Sequence, residues 1–184
     1  KACYCTHIGG EFFAYYKTTS GKSRDNFLKI LLQGKEGYEI NESMIWHLFQ
    51  SGVKDDILNL LEEHQGKSYS SAQGFNHLLN SLGVEGKKLR KQCHEAGVVG
   101  YLVNSVLKSG QVFLSDRAGQ FALFLHAACW VHMERPLRKV VCSSEFVEEE
   151  LRQVRESIWI TYRALKEAHS EEEKAEVRKL YDRL

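Results

Sequence analysis

The sequence contains few of the features that would assign it directly to a functional class. Its 184 residues include one proline, Pro136, and 25 lysines and arginines are nearly balanced by 24 acidic residues. The formal net charge of +1 excludes a simple polycation, and the 43% of hydrophobic residues excludes a disordered tail. At this length we expect one domain with its own core, because chains of about 150 residues bury nearly 70% of their extended surface.

Long apolar runs and paired cysteines are also scarce. The longest uncharged stretch in the helical region, residues 118–133, falls short of the roughly 20 apolar residues that a membrane span needs. Lys1–Gly10 lacks the apolar segment of a secretory signal. The five cysteines are odd in number, and three lie in apolar helical patterns. They predict free thiols in an intracellular setting, cytoplasmic or nuclear.

Apolar residues recur at helical spacing through most of the chain. The stripe from Leu89 to Val106 covers nearly five turns, and a second stripe runs from Val147 to Leu165. Residues 117–134 are apolar almost all round and predict a central helix that ends or kinks at Pro136. We therefore predict an all-α fold, a single globular domain of about seven or eight helices around that central helix.

Particular residues predict where helices begin and where they pack closely. The predicted helix starts are Ser23, Asn41, and capping boxes at 70–73 and 170–173. Gly97 and Gly100 lie inside the first long stripe, where each costs about 1 kcal/mol relative to alanine. We expect another helix to pack closely against them.

Residues 1–22 form an aromatic N-terminal segment, distinct from a helical domain over residues 23–184. The run 11–19 is rich in aromatic and β-branched residues, as strands are, although a helix is nearly as well supported. Residues 111–114 are a candidate strand partner. The segment either covers its own core or docks on a partner, and the first is favoured because aromatic residues are usually buried.

Two motifs suggest a phosphate loop or a metal site without completing either. Gly21-Lys22-Ser23 ends like a phosphate-binding loop, but Tyr16 stands where the pattern requires its first glycine, which excludes a nucleoside triphosphatase. Residues of metal-ligating type recur in two places without a C-x-x-C pair. They are Cys3, Cys5 and His7, and His126, Cys129 and His132. We expect packing groups there, and no metal or cofactor.

Arg163 and His169 are separated by five residues on the penultimate predicted helix. The pair resembles the arginine–x(4–6)–histidine motif of HEPN-type helical ribonucleases, and the resemblance covers this one helix. It implies that the arginine stabilises negative charge on the scissile phosphate and that the histidine acts in acid–base catalysis. The alternative is a solvated arginine and a histidine whose cation suits a helix C-terminus.

Two basic clusters are the candidate binding residues. One is formed by Lys87, Lys88, Arg90 and Lys91, and the other by Arg135, Arg138 and Lys139. Cations gathered at a helix N-terminus would suit a phosphate-bearing anion such as RNA. The alternative is a solvated face that keeps the domain soluble. Acidic runs at 148–150 and 171–173 could instead pair with these clusters, within the fold or across a dimer.

The sequence favours a non-enzymatic, intracellular interaction or regulatory domain. No nucleophile lies in a recognisable catalytic context, so no catalytic residue is predicted. Because the chain begins at Lys1, we expect a part of a larger protein whose partner is another protein or a second copy. The alternatives are binding of nucleic acid or another phosphate-bearing ligand through the two basic clusters, and the helical ribonuclease.

Overall fold

The computed structural model describes residues 4–10, 14–108, 110–116 and 118–182. Cys3 and residues 11–13, which enter the predictions above, lie outside these ranges. The described residues form eight α-helices: α1 (Arg24–Leu32), α2 (Glu42–Gln50), α3 (Asp55–Glu62), α4 (Ala72–Ser81), α5 (Lys87–Ser105), α6 (Trp130–Glu134), α7 (Glu145–Glu167) and α8 (Glu171–Tyr181). They also form three two-stranded sheets: β1 (Tyr4–Gly9) with β2 (Ala14–Thr19), β3 (Tyr38–Glu39) with β4 (Ser68–Tyr69), and β5 (Phe113–Ser115) with β6 (His126–Ala128).

The chain divides into two compact units. Unit 1 comprises Lys1–Phe113 and Ala118–His126, and unit 2 comprises Leu114–Arg117 and Ala127–Leu184. Unit 1 therefore holds α1 to α5, and unit 2 holds α6 to α8. The separation of residues 1–22 from 23–184 stays a prediction.

The all-α prediction is wrong, because the fold is mixed α/β although mostly helical. Helices account for 57% of it and strands for about 13%. Four of the six described strands have only two or three residues. An alternating apolar pattern needs at least four residues to show, so these strands leave almost no trace in the sequence.

The central helix predicted over residues 117–134 does not form. From residue 118 onwards the chain makes a 3₁₀ turn at Gly119–Phe121, then β6, then the five-residue α6. An unbroken apolar run is compatible with a buried helix and with a buried strand, so composition could not separate the two. Part of this run packs in unit 1, where the rings of Phe121 and Phe124 lie 5.0 and 6.5 Å from that of Phe27.

The aromatic N-terminal segment contains a β-hairpin. Residues 14–19 are a strand, as their composition predicts, and β1 rather than residues 111–114 is the partner. The register sets His7 opposite Tyr16, and their rings stack with centroids 4.6 Å apart. Most side chains of both strands are exposed, so the hairpin covers little of the core.

Unit 1 is organised around α5. The predicted stripe is buried from Cys93 to Leu102, whereas Val103 and Val106 are about 40% exposed. Helix α2 and strand β3 pack against the buried face. Burial raises the pKa of the Cys93 thiol to about 11, which keeps it protonated and unreactive.

Most predicted helix starts are confirmed. The side chains of Ser23 and Asn41 accept the backbone N–H three residues on, at 3.2 and 3.1 Å. The box at 170–173 closes both ways, because Ser170 Oγ accepts the N–H of Glu173 and Glu173 Oε2 accepts that of Ser170. The box predicted at 70–73 does not form, since Ser71 is the N-cap of α4 and the residue three positions on, Gly74, has no side chain to return the hydrogen bond.

Unit 2 is built on α7, the long amphipathic helix that the second stripe predicts. Helices α6 and α8 both pack against it. Trp130 of α6 and Trp159 of α7 contact the ring of Tyr162, with centroids 5.5 and 5.6 Å away. In the described part of the chain, neither unit contains a helix long and apolar enough to cross a membrane.

The close approach expected at the glycines of α5 is present. A Cβ on Gly100 would lie 2.4 Å from the carbonyl oxygen of Glu39 in β3, and 3.3 Å from Cβ of Met44 in α2. A Cβ on Gly97 would meet the rings of Phe75 and Tyr38 at 3.1 and 3.2 Å. The neighbours are therefore a strand, aromatic rings and a helix, rather than a helix alone.

Gly100→Ala should lower the free energy of unfolding by about 2–3 kcal/mol, because the added methyl group meets backbone that cannot move aside. Gly74→Ala is the matched control, since its Cβ in α4 would make only ordinary contacts at 3.5 and 3.6 Å. That change should be neutral or stabilise by up to about 1 kcal/mol. Urea unfolding of both variants measures the difference, and equal effects would contradict the close contact.

Candidate nucleic-acid interface

The two predicted basic clusters lie in different units. Lys87, Lys88 and Lys91 are exposed on the first turns of α5 in unit 1, and none of them forms an ion pair with a described residue. Gly86, the N-cap, supplies no side-chain hydrogen bond. Three cations thus stand uncompensated at this helix start.

Arg90 has a different environment from these lysines. Its Nη1 donates to Asn80 Oδ1 at 2.7 Å and to the carbonyl of Val84 at 3.1 Å, and its Nη2 donates to Asn76 Oδ1 at 2.6 Å. The guanidinium therefore ties α5 to α4 and to the loop between them. Most of its hydrogen-bonding capacity is used within the fold.

The second cluster follows α6 in unit 2. Helix α6 ends at Glu134, with Arg135 as its C-cap and Pro136 next, as the proline predicts. A 3₁₀ turn over Leu137–Lys139 carries Arg138 and Lys139. Arg135 and Lys139 are exposed and form no ion pair within the described ranges.

Glu134 joins this cluster to α7. Its side chain is only 1% exposed, and each carboxylate oxygen accepts one arginine Nε–H. Arg138 donates to Oε2 and Arg155 of α7 donates to Oε1, both at 2.6 Å. Arg155 lowers the pKa of Glu134 most, with help from Arg138 and against the effect of burial. A buried carboxylate is thus held charged between two arginines.

Helix α7 carries an arginine face that the sequence reading missed. Arg152, Arg155, Trp159 and Arg163 follow at spacings of three, four and four, and they line one shallow depression of about 500 Å³. The sequence-based prediction for this helix used only its apolar stripe from Val147 to Leu165. Counting cations at the same spacing would have found the second face.

Carboxylates compensate the arginines of this face unequally. Arg152 donates to Glu149 and to Glu156, with both shortest contacts at 2.5 Å. Arg163 is exposed and has no carboxylate partner among the described residues. The open charge of α7 therefore lies toward its C-terminal half, near Trp159.

The acidic runs pair along their own helices rather than with the basic clusters. Glu149 binds Arg152 within α7, and Glu171 binds Lys174 within α8 at 2.8 Å. Such i,i+3 pairs are exposed, so screening by water leaves them little net effect on stability. They leave the two predicted clusters without these counter-charges.

The members of each of the other candidate motifs do not lie together on one helix. Arg163 lies on α7, whereas His169 lies beyond the end of that helix and its backbone N–H donates to Glu173. His126 is in β6, Cys129 precedes α6 and His132 is within it, so the shared helix face does not exist. No group of three potential metal ligands occurs among the residues that the structure describes.

Glu134→Gln should lower the free energy of unfolding at pH 7 by about 1–3 kcal/mol, because two charge-assisted hydrogen bonds are weakened. The folded-state pKa of Glu134 is lowered, so its stabilisation is complete above the unfolded pKa of about 4.3 and is lost as the pH falls through the folded pKa. The gap between the wild type and the variant should therefore close below about pH 4. Urea unfolding from pH 7 to pH 3 measures it.

The exposed Glu176, paired with Lys179 on α8, provides the control for that experiment. Glu176→Gln should change the free energy of unfolding by less than about 1 kcal/mol at any pH. A Glu134→Gln gap that stays constant down to pH 3 would exclude the ion pairs as its cause.

Comparisons with known proteins assign no function. No family model matches the chain, and no solved structure matches it significantly. The chain is similar to the uncharacterised protein y4jO of Sinorhizobium fredii, with 30% identity over 165 residues. These residues are 89% of this chain and 51% of that protein, so the chain spans about half the length of the curated relative that it matches.

Proposed function

We propose that unit 2 binds nucleic acid, RNA included, through a cationic surface formed by Arg135, Arg138, Lys139, Arg155 and Arg163. The observation that carries the proposal is the contact of Arg138 and Arg155 with the same buried carboxylate, Glu134. This contact makes the basic cluster at 135–139 continuous with the arginine face of α7. Neither segment alone offers more than a short run of cations.

The open charges of this surface support a polyanionic ligand. Arg135, Lys139 and Arg163 are exposed and form no ion pair with described residues. Exposed cations without carboxylate partners attract a phosphate backbone, and binding releases the counterions condensed on it. A local surface of this kind operates in a chain whose net charge is only +1, because the field near the surface depends on nearby charges.

Trp159 adds an aromatic group to the same surface. It lines the depression with Arg155 and Arg163, one helical turn from each. Aromatic rings beside arginines are typical of single-strand binding, where bases stack on the ring while cations follow the backbone. The exposed Lys87, Lys88 and Lys91 of unit 1 are a separate candidate site for a phosphate-bearing ligand.

The triple variant Arg135→Ala/Lys139→Ala/Arg163→Ala should weaken binding of a fluorescent oligonucleotide and flatten its salt dependence. Each lost phosphate contact should reduce the slope of log K against log [salt] by about 0.7 for a single strand and about 0.9 for a duplex. Fluorescence anisotropy between 50 and 200 mM salt, with single-stranded RNA and duplex DNA, measures both quantities.

Lys174→Ala/Lys179→Ala is the charge control for this test, because both lysines are paired along α8. It should change the slope far less than the triple variant. Binding that is absent in the wild type, or that falls equally in both variants, would contradict the proposal.

A protein partner is the second candidate, and two aromatic residues favour it. Trp46 and Phe49 of α2 are 62% and 53% exposed, and their rings stack with centroids 5.7 Å apart. They border a depression of about 550 Å³ whose ionisable lining residues are Glu42 and Glu62. Exposed aromatic patches of this kind mark interaction surfaces, and the carboxylates favour a segment that combines apolar and basic residues.

Trp46→Ser/Phe49→Ser should abolish self-association of the chain through this surface. It should lower the free energy of unfolding by no more than about 2 kcal/mol, because more than half of each residue is exposed. Sedimentation velocity across a range of concentrations measures the association. Phe146→Ser on α7, where the ring is 70% exposed, is the matched control. An oligomer that survives the double variant would exclude this surface as its interface.

A further inference from the structure

The two arginines on Glu134 keep most of their hydrogen-bond donors unused. A guanidinium has five N–H groups, and each arginine contacts the carboxylate through its Nε–H alone. The Nη atoms of Arg138 and Arg155 form no other hydrogen bond or ion pair with the residues that the structure describes.

The two arginines are accessible, although the carboxylate that they bind is not. The side chain of Glu134 is 1% exposed, whereas those of Arg138 and Arg155 are 58% and 35% exposed. Because the Nε–H groups bind the carboxylate, the Nη groups are the donors that remain for a ligand. The two guanidiniums are anchored to the two oxygens of one carboxylate, which holds them near one another.

We propose that Arg138 and Arg155 form a binding site for one phosphodiester group, and that Glu134 is the residue that positions both guanidiniums. This inference rests on the nucleic-acid binding proposed above and identifies the contact within that surface. Arginine suits the role because its planar fork binds two phosphate oxygens at once, which lysine cannot do.

The charge of the site suits a phosphate group. Two guanidiniums contribute +2 and the carboxylate contributes −1, which leaves +1 on the three residues. A phosphodiester within a strand is favoured over free phosphate or a monoester, because its neighbouring phosphates can also reach the exposed Arg135 and Lys139.

A purely structural role would use the same three residues to fasten α6 and its following turn to α7. That role needs only the two Nε–H contacts, and the exposed Nη groups would have no function. The two roles differ in what they predict for ligand binding when the charge of Glu134 is removed.

Glu134→Gln distinguishes a positioning role from a purely electrostatic effect, because the two predict opposite changes in affinity for nucleic acid. Removing a carboxylate makes the surface more positive, so charge alone predicts tighter nucleic-acid binding. If Glu134 positions the arginines, the glutamine amide repels one guanidinium, and affinity for a single-stranded oligonucleotide should fall about tenfold or more. Fluorescence anisotropy titration measures the affinity of each protein. The titrations use constant salt and a temperature well below the thermal unfolding midpoint of the variant.

Glu156→Gln is the matched control, since it removes an exposed carboxylate from the same helix and leaves Glu134 intact. It should leave affinity unchanged or raise it. The positioning role would be overturned if Glu134→Gln bound the single-stranded oligonucleotide as tightly as the wild type, or more tightly. Absence of binding in the wild type would instead refute the nucleic-acid function itself.

Arg138→Lys and Arg155→Lys test the site even where Glu134→Gln does not fold. Both keep the positive charge, so the salt slope should stay the same while affinity falls about tenfold. An oligonucleotide with neutral methylphosphonate linkages should bind all variants equally weakly, and inorganic phosphate should compete poorly. Lysine variants with wild-type affinity, or efficient competition by inorganic phosphate, would overturn the phosphodiester assignment.

Discussion

Unit 2 depends on the neutralisation of one buried carboxylate. An ionised carboxylate that is shielded from water is costly unless cations compensate it, and Glu134 is compensated by cations from two segments at once. This contact fixes the turn after α6 against the middle of α7. The same contact joins a cation of the turn to a cation of α7, so local structural order and surface charge are linked in this unit.

The sequence could predict features that depend on neighbouring residues. The caps at Ser23 and Asn41, the capping box at 170–173 and the end of α6 before Pro136 all follow from local hydrogen bonding or from a missing N–H. The apolar run at 118–133 could not be assigned, because its structure is decided by which partners bury it. Two of the three described sheets likewise depend on pairing between segments, because their strands of two or three residues carry little local preference.

The candidate site shows the same limit. The basic clusters were visible in the sequence, but Arg90 and Lys91 have different environments although they are adjacent, since only Arg90 meets side-chain oxygens from α4. Glu134 bridges Arg138 and Arg155, which are 17 positions apart in the sequence. No spacing rule for a single helix predicts it. The arginine face of α7, in contrast, follows from helical periodicity and was available to sequence reasoning.

The positions of the three tryptophans give each unit its own optical signal. Trp46 is 62% exposed on α2 in unit 1, whereas Trp130 and Trp159 both lie in unit 2 beside Tyr162. In a chain in which phenylalanine replaces Trp46, all tryptophan fluorescence would come from unit 2. Because Trp159 neighbours the arginines, a change in that fluorescence would report ligand binding without an attached dye.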